Sequence, residues 1–468
     1  MMIQNEIIPS RFLSIILVAL ILIFSYKAEA QKKQPNIIYI MLDDAGYGDF
    51  SAFGSEYIRT PVFDQIAAEG IKFTQHYSGS AVCAPTRSVL MTGLDTGHTR
   101  RRDNTAKTNT KELIEKNGRP LVFLEDSDLT VAEVLKDAGY ITGGIGKWGL
   151  GNPGSTGTPE KQGFDYWFGY LDQVHAHDHF PEQIWEGGKM IDLKGNFNGK
   201  QEQYVPYLQE EKTLEFIKKN YQKPFFLYLA YTPPHGEYII PVDDPVFSTY
   251  EGIPGGEKVQ HYASMITRTD QTVGKIMDLL KELSIDENTI VFYTSDNGPN
   301  KPFADAINSG GGLRGIKRSL YEGGIRAAMA VRWPGVVPKS AESDFVWDMR
   351  DFFPTACDIA NTKIPNGLSG QSVLKTLKGK NQKERKFNYW EIHSPFQQAV
   401  RMGNWKAIRF GTKEPLELYN LENDVKESTN VASENPEIVE KIEKFLETAR
   451  TESPYFPAKE YAKKEKPY

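Results

Sequence analysis

Cys83 opens the run Cys83-Ala84-Pro85-Thr86-Arg87, which continues as Ser88-Val89-Leu90-Met91-Thr92-Gly93. Proline suits the first turn of a helix, so the spacing predicts a helix that starts beside the cysteine. Backbone N–H groups left unpaired at such an end favour an anion. Arg87, one turn further on, would aim its fixed fork of donors at the same place. Read from these residues alone, the segment suits a thiolate nucleophile of lowered pKa.

Other polar residues fall where they could join it. Apolar, β-rich runs at residues 36–42, 140–144, 225–231 and 289–294 are too short for buried helices and end in Asp, Gly or Pro. Asp43-Asp44 follows the first run, Lys147 the second, His235 the third and Asp296-Asn297 the fourth. Between them, residues 129–138 carry Thr130 and Glu133 in their first turns and stop at Gly139, while 260–283 form a longer amphipathic stretch. The alternation predicts an α/β fold, a large, mostly parallel sheet sandwiched by helices. Open α/β sheets bind ligands outside the carboxyl ends of their strands, so four segments would deliver polar side chains to one edge. One acidic residue after a strand is an ordinary turn former; four coinciding segments argue for a site.

The Cys83 segment resembles the signature of the type I sulfatases, Cys-x-Pro-Ser/Thr-Arg ahead of a small-residue helix ending in Thr-Gly. The resemblance spans nearly all of the mature chain and points to an arylsulfatase-like, secreted bacterial carbohydrate sulfatase. It implies an alkaline-phosphatase-like fold, and a formylglycine-generating enzyme that oxidises Cys83 to formylglycine, whose hydrate attacks sulfur. Residues 36–44 resemble the family's opening strand with two metal ligands, Asp43 and Asp44; residues 294–298 resemble the segment carrying the other two, Asp296 and Asn297. These are hard oxygen donors with no histidine or thiolate among them, which suits Ca²⁺ rather than Zn²⁺. Gly146-Lys147-Trp148, Thr232-Pro233-Pro234-His235, and the stretch from Gly311 through Lys317 to Arg326 resemble three further motifs. By that resemblance Arg87, Lys147 and Lys317 hold the charge of the sulfate, and His235 meets the ester oxygen as a general acid. Fixed cations in a dry pocket stabilise such spreading charge most strongly. Leu418-Tyr419-Asn420-Leu421, with Asp424, Glu427 and Asn430, resembles the family's structural C-terminal signature.

The chain departs from that pattern at Gly149, where many sulfatases have histidine after Lys-Trp, and at Glu237, where a second proline is usual. The absent histidine is usually assigned to deprotonating the hydrated aldehyde as sulfate leaves. His175, His177 and His179 are candidates for its role, with His177 the choice among the three; a surface histidine cluster is an equal alternative. Arg102 and His393 are candidate sugar contacts.

The remaining features set the context. The 468-residue chain is 40% hydrophobic and 25% charged, ordinary for a globular enzyme, with a net charge of −6 and no basic stripe to hold nucleic acid. Arg100-Arg101-Arg102 reads as a solvated loop. Arg11, the apolar run 12–24 and Ala28-Glu29-Ala30 have the layout of a secretory signal peptide. This predicts export to the periplasm or beyond, with a mature chain from Gln31 and no membrane anchor afterwards. Two cysteines are too few for a disulfide scaffold, and Cys357 reads as a buried small hydrophobe. A catalytic domain is expected over residues 31–385 and a smaller C-terminal subdomain over 386–468, with strands at 387–392 and 398–409 and a helix opened by Asn435-Pro436. Alternatives are a phosphoester hydrolase of the same superfamily, a non-catalytic glycan-binding relative, and a thiol enzyme using unmodified Cys83.

Overall fold

The first strand, Asn36–Leu42, is buried along its whole length and lies between two parallel neighbours, Phe225–Ala230 and Thr289–Ser295. A strand covered on both faces has no polar alternation to show, which is why these segments read as continuous apolar runs. The computed structural model from which these elements are taken describes residues 34–106 and 121–459; the expected signal segment at 1–30 lies outside the described residues. The sheet has ten strands in the order Ala341–Ser343, Ile71–Phe73, Met329–Arg332, Thr289–Ser295, Asn36–Leu42, Phe225–Ala230, Ile141–Lys147, Tyr166–Tyr170, Gln183–Glu186 and Lys189–Asp192. The five from Thr289–Ser295 to Tyr166–Tyr170 run parallel, and antiparallel strands flank them on both sides.

Each face of the sheet has its own core. Ile38, Ile40 and Leu42 pack with Ile266, Val273 and Ile276 of the helix Glu257–Glu282. Ile37, Tyr39 and Met41 pack on the other side with Leu90 of the helix Cys83–Thr92 and Phe352 of the helix Phe352–Ile359. The helix Val131–Asp137 starts on the anticipated capping box, Thr130 accepting from the Glu133 amide while the Glu133 carboxylate accepts from the Thr130 amide. Two glycines in Ile141–Lys147 serve packing: a Cβ on Gly143 would lie 2.4 Å from Phe216, and one on Gly144 would lie 2.2 Å from Trp167.

The C-terminal sheet is an antiparallel meander of Asn388–His393, Phe396–Met402, Trp405–Phe410 and Glu417–Asn420, followed by the helix Pro436–Leu446. The stretch expected as a single strand over 398–409 is two strands, because Gly403 turns the chain with φ +58°. Lys406 and Trp390 tie this sheet to the main body, Lys406 Nζ lying 2.8 Å from Glu322 and the Trp390 indole donating to Ser78 O. Cys357 is fully buried and free, as its apolar setting implied. The basic triplet is not solvated: Arg101 and Arg102 are buried, and Arg100 pairs with Glu125 and Asp128.

Candidate active site

The helix that carries Cys83 begins at the cysteine itself, with Pro85 as its third residue, and all ten of its residues are buried. The Ala84 amide at this end donates to Asn104 Oδ1 at 3.0 Å. Cys83 Sγ lies 3.2 Å from Asp43 Oδ1 and 3.5 Å from Lys317 Nζ. Burial pushes the thiol's pKa far up, with Asp43 adding to the shift and Lys147 and Lys317 opposing it. The lowered thiolate pKa expected of the bare residues is therefore not found: deep burial and a facing carboxylate outweigh the two lysines.

The ends of the four central strands converge here as the alternation predicted. Asp43 and Asp44 follow the first strand, and Asp44 adopts a left-handed φ of +68°. Its backbone N–H donates to Asp296 Oδ1 at 3.0 Å. Asn297 Nδ2 donates to Asp44 Oδ1 at 2.8 Å, Lys317 Nζ meets Asp44 Oδ2 at 2.6 Å, and His235 Nε2 approaches the same oxygen at 3.6 Å. Lys147 Nζ lies 2.6 Å from Asp43 Oδ2. Arg87, fully buried, reaches Asp43 and Asp296 with Nη2 at 3.3 and 3.4 Å and donates from Nη1 to Lys147 O at 2.6 Å.

The charges are unevenly shared. Burial alone would raise the Asp43 carboxyl, but His235, Lys147, Arg87 and Lys317 hold it well below the usual carboxylate range. Asp296, buried and repelled by Asp43, is pushed up to about 7 despite Arg87. Burial depresses His235 strongly, and Lys147 and Lys317 depress it further. Such opposed shifts within one cluster are typical of a functional site.

The donor chemistry fits a hard cation. Ligand atoms of Asp43, Asp44, Cys83 and His235 lie within 4.8 Å of one another. That grouping includes a thiol and an imidazole, but the thiol faces a carboxylate and an ammonium, and the imidazole faces Asp44. The oxygens of Asp43, Asp44, Asp296 and Asn297 are the better set. Asn297 Oδ1 is buried without a hydrogen-bond partner, an acceptor that a cation would satisfy.

Of the remaining candidates, His177 packs on His235 with ring centroids 4.5 Å apart and planes tilted by 58°, and is the one histidine of its loop to do so; His179 is buried, against His235 O. Arg102 and His393 share a partner: both turn onto Glu391, at 3.1 and 3.0 Å, and Arg102 also donates to Thr99 and Thr451. Arg102 thereby braces the C-terminal sheet. Asn300 was missed: its Nδ2 donates to Asp44 Oδ2 at 2.8 Å from the N-cap of the helix Lys301–Ile307. Its place three residues beyond Asn297 is the signal that could have suggested it.

Fold and site together suit an α/β-type hydrolase of charged esters: a buried cysteine opens a helix, a cluster of oxygen donors that could hold a cation faces it, and two lysines reach the same cluster. Residues 35–362 match the sulfatase family, and residues 315–452 match the C-terminal region of N-sulphoglucosamine sulphohydrolase. The chain belongs to the sulfatase family and is a sulfuric ester hydrolase. It is 29% identical to an N-acetylgalactosamine-6-O-sulfatase of Bacteroides thetaiotaomicron over 90% of this chain and 94% of the relative. It is 32% identical to N-acetylgalactosamine-6-sulfatase of Canis lupus familiaris over 81% of this chain and 72% of that protein. Ps i-CgsB, solved in complex with k-i-k-neocarrahexaose, superposes with a TM-score of 0.74 at 27% identity, covering 89% of this chain and 93% of that one. A phosphonate monoester hydrolase of Agrobacterium radiobacter shares the fold, with a TM-score of 0.65 at 18% identity over 88% of this chain and 95% of that one.

Proposed function

We propose that this sulfatase removes sulfate from a sulfated carbohydrate, using a formylglycine made from Cys83 and one Ca²⁺ held by Asp43, Asp44, Asp296 and Asn297. The observation that carries the reading is the buried helix N-terminus at Cys83, closed in by Asp43 and Lys317, with Asp44 linking it to Asn297, whose side-chain oxygen is buried and unpaired. The relatives that act on sulfated sugars support the substrate class. Formylglycine would supply an oxygen nucleophile where the thiol stands, and the cation would supply Lewis-acid charge beside it. The protein's own part is then electrostatic and protonic. Lys147 and Lys317 hold sulfate oxygens, Arg87 fixes Asp43 and Asp296, and His235 Nε2, its depressed pKa raised again by the bound anion, donates a proton to the departing alcohol oxygen.

The test is sulfate release from isomeric sulfated mono- and oligosaccharides beside matched phosphate esters, with conversion of residue 83 measured by peptide mass. Release from one sugar isomer names the substrate. Turnover of phosphate esters alone would overturn the reading, as would retained glycan binding without turnover by fully converted enzyme. Export, supported by the signal-like segment at 1–30, implies a mature N-terminus near Gln31; intact mass of the secreted protein checks it. Among the described residues no helix is long and apolar enough to cross a membrane.

Two outcomes are expected here. Removing divalent cation with a chelator lowers the unfolding midpoint and eliminates turnover, because four buried ligands then lose their common partner; re-addition of Ca²⁺ restores both. An unchanged midpoint and rate would remove the cation from the reading. His177→Ala lowers kcat by about 100-fold if His177 serves as the base that Gly149 cannot supply. Its own pKa is lowered, by burial first and then by Lys147, so it stays neutral and able to accept a proton. Undiminished turnover in this variant would return His177 to a surface role.

A further inference from the structure

Gln173 is buried to 5% exposure, yet neither atom of its side-chain amide has a hydrogen-bond partner. Leaving both ends of an amide unmet in the interior costs free energy, so such a group is best explained by something that binds to it. Its position says where. The Trp148 and Gly149 amides donate to Tyr170 O and Leu171 O, which brings the chain entering Gln173 alongside the residues that follow Lys147. Gly149 lies just beyond the end of the strand Ile141–Lys147, with a left-handed φ of +79°, and is two residues past Lys147, whose ammonium meets Asp43. The Gln173 amide packs against it. A Cβ on Gly149 would lie 1.7 Å from Nε2 and 2.9 Å from Cδ, so only glycine admits the amide there. A few residues on, the same loop packs the His177 ring against that of His235. Gln209 also has an unpaired buried amide, but it lines a small cavity with Tyr204, Tyr231 and Met265, away from the charged cluster.

We infer that Gln173 is a substrate-contacting residue, its amide N–H donating to a sulfate oxygen beside Lys147. The inference rests on the sulfatase reading of the site and adds to it a neutral donor in a ring of otherwise charged groups. A primary amide gives up no proton at working pH, so its contribution is binding and orientation of the tetrahedral anion.

The experiment compares wild type with Gln173→Met, Gln173→Ala and Gln173→Glu, each with its residue 83 conversion measured by peptide mass. Two quantities are read: calorimetric affinity for inorganic sulfate, and kcat and KM on a sulfate ester that the wild type hydrolyses. Methionine keeps the volume without the amide. The expected result is sulfate binding about tenfold weaker and kcat/KM about 10–100-fold lower in Gln173→Met, with an unchanged unfolding midpoint. The loss is larger still in Gln173→Glu, whose carboxylate would face the anion. Wild-type sulfate affinity and turnover in Gln173→Met overturn the inference, since the amide would then only fill space. That result differs from failure of the sulfatase reading itself, in which the wild type neither binds sulfate nor hydrolyses any sulfate ester.

Discussion

Cys83→Ala is expected to abolish sulfate release, with kcat falling by about 10⁴–10⁶-fold, the loss seen when an enzyme loses its nucleophile. The fold should survive. Cys83 is small, its backbone begins the helix whatever its side chain, and the groups its thiol meets keep other partners: Lys147 and Arg87 still hold Asp43, and Lys317 still holds Asp44. A stability loss of about 1 kcal/mol is the scale for such a change. The same variant separates the formylglycine reading from a thiol enzyme when wild-type samples of differing conversion are set beside it. The unmodified thiol is held protonated by burial and by Asp43, so it is a poor nucleophile. Sulfate release should therefore scale with the formylglycine fraction at residue 83 measured by peptide mass. Full activity in unconverted protein, destroyed by alkylation, would sink the formylglycine reading and favour the thiol.

The parts of this site that could be read in advance are those set by local pattern. Asp43-Asp44, Lys147, His235 and Asp296-Asn297 were legible because buried parallel strands are mostly apolar, so charged and amide side chains at or just beyond their carboxyl ends stand out. The Cys83 helix and the Thr130 capping box were legible for the same reason: their signals lie within a few residues. What escaped depends on partners far away in the chain. Arg102 reads as solvated until Glu391, 289 residues later, is found beside it. His393 reads as a candidate sugar contact, with nothing in its neighbourhood in the sequence to show that its ring meets the same glutamate. The shape of the Gln173 loop is equally invisible: Gly149 reads as a missing histidine, and only the folded chain brings a glutamine amide against it. The Cys83 pKa went the wrong way because a helix N-terminus and two lysines predict depression, whereas complete burial against a carboxylate reverses the sign.

Arg87→Ala should be the most damaging single change that leaves the nucleophile in place. Arg87 is fully buried, and one of its nitrogens bridges Asp43 and Asp296 while the other holds Lys147 O. Removing it leaves two buried carboxylates sharing too few cations, and breaking a buried ion pair from one side costs about 3–5 kcal/mol. Asp296, already pushed up to about 7 with Arg87 present, would take up a proton, and a protonated carboxyl is a poor cation ligand. Two effects then compete for the cation: one fewer positive charge nearby attracts it, while loss of orientation and ionisation at Asp296 weakens its cradle. Lys147 still holds Asp43, whereas Asp296 loses its ion-pair partner, so an added Ca²⁺ would be the main neutraliser left to Asp296. Its addition should raise the unfolding midpoint of Arg87→Ala by more than it raises that of wild type. Activity should nonetheless fall by about 10³-fold, the cost of losing a preorganised charge beside the reacting group. Arg87→Lys recovers part of the stability but little of the activity, because a single ammonium cannot span both carboxylates and the Lys147 carbonyl. Calcium titrations of thermal unfolding, run beside kcat/KM for the two variants, decide the matter. An Arg87→Ala enzyme whose stability responds to calcium no more than wild type does would show that Arg87 is not what balances Asp43 and Asp296.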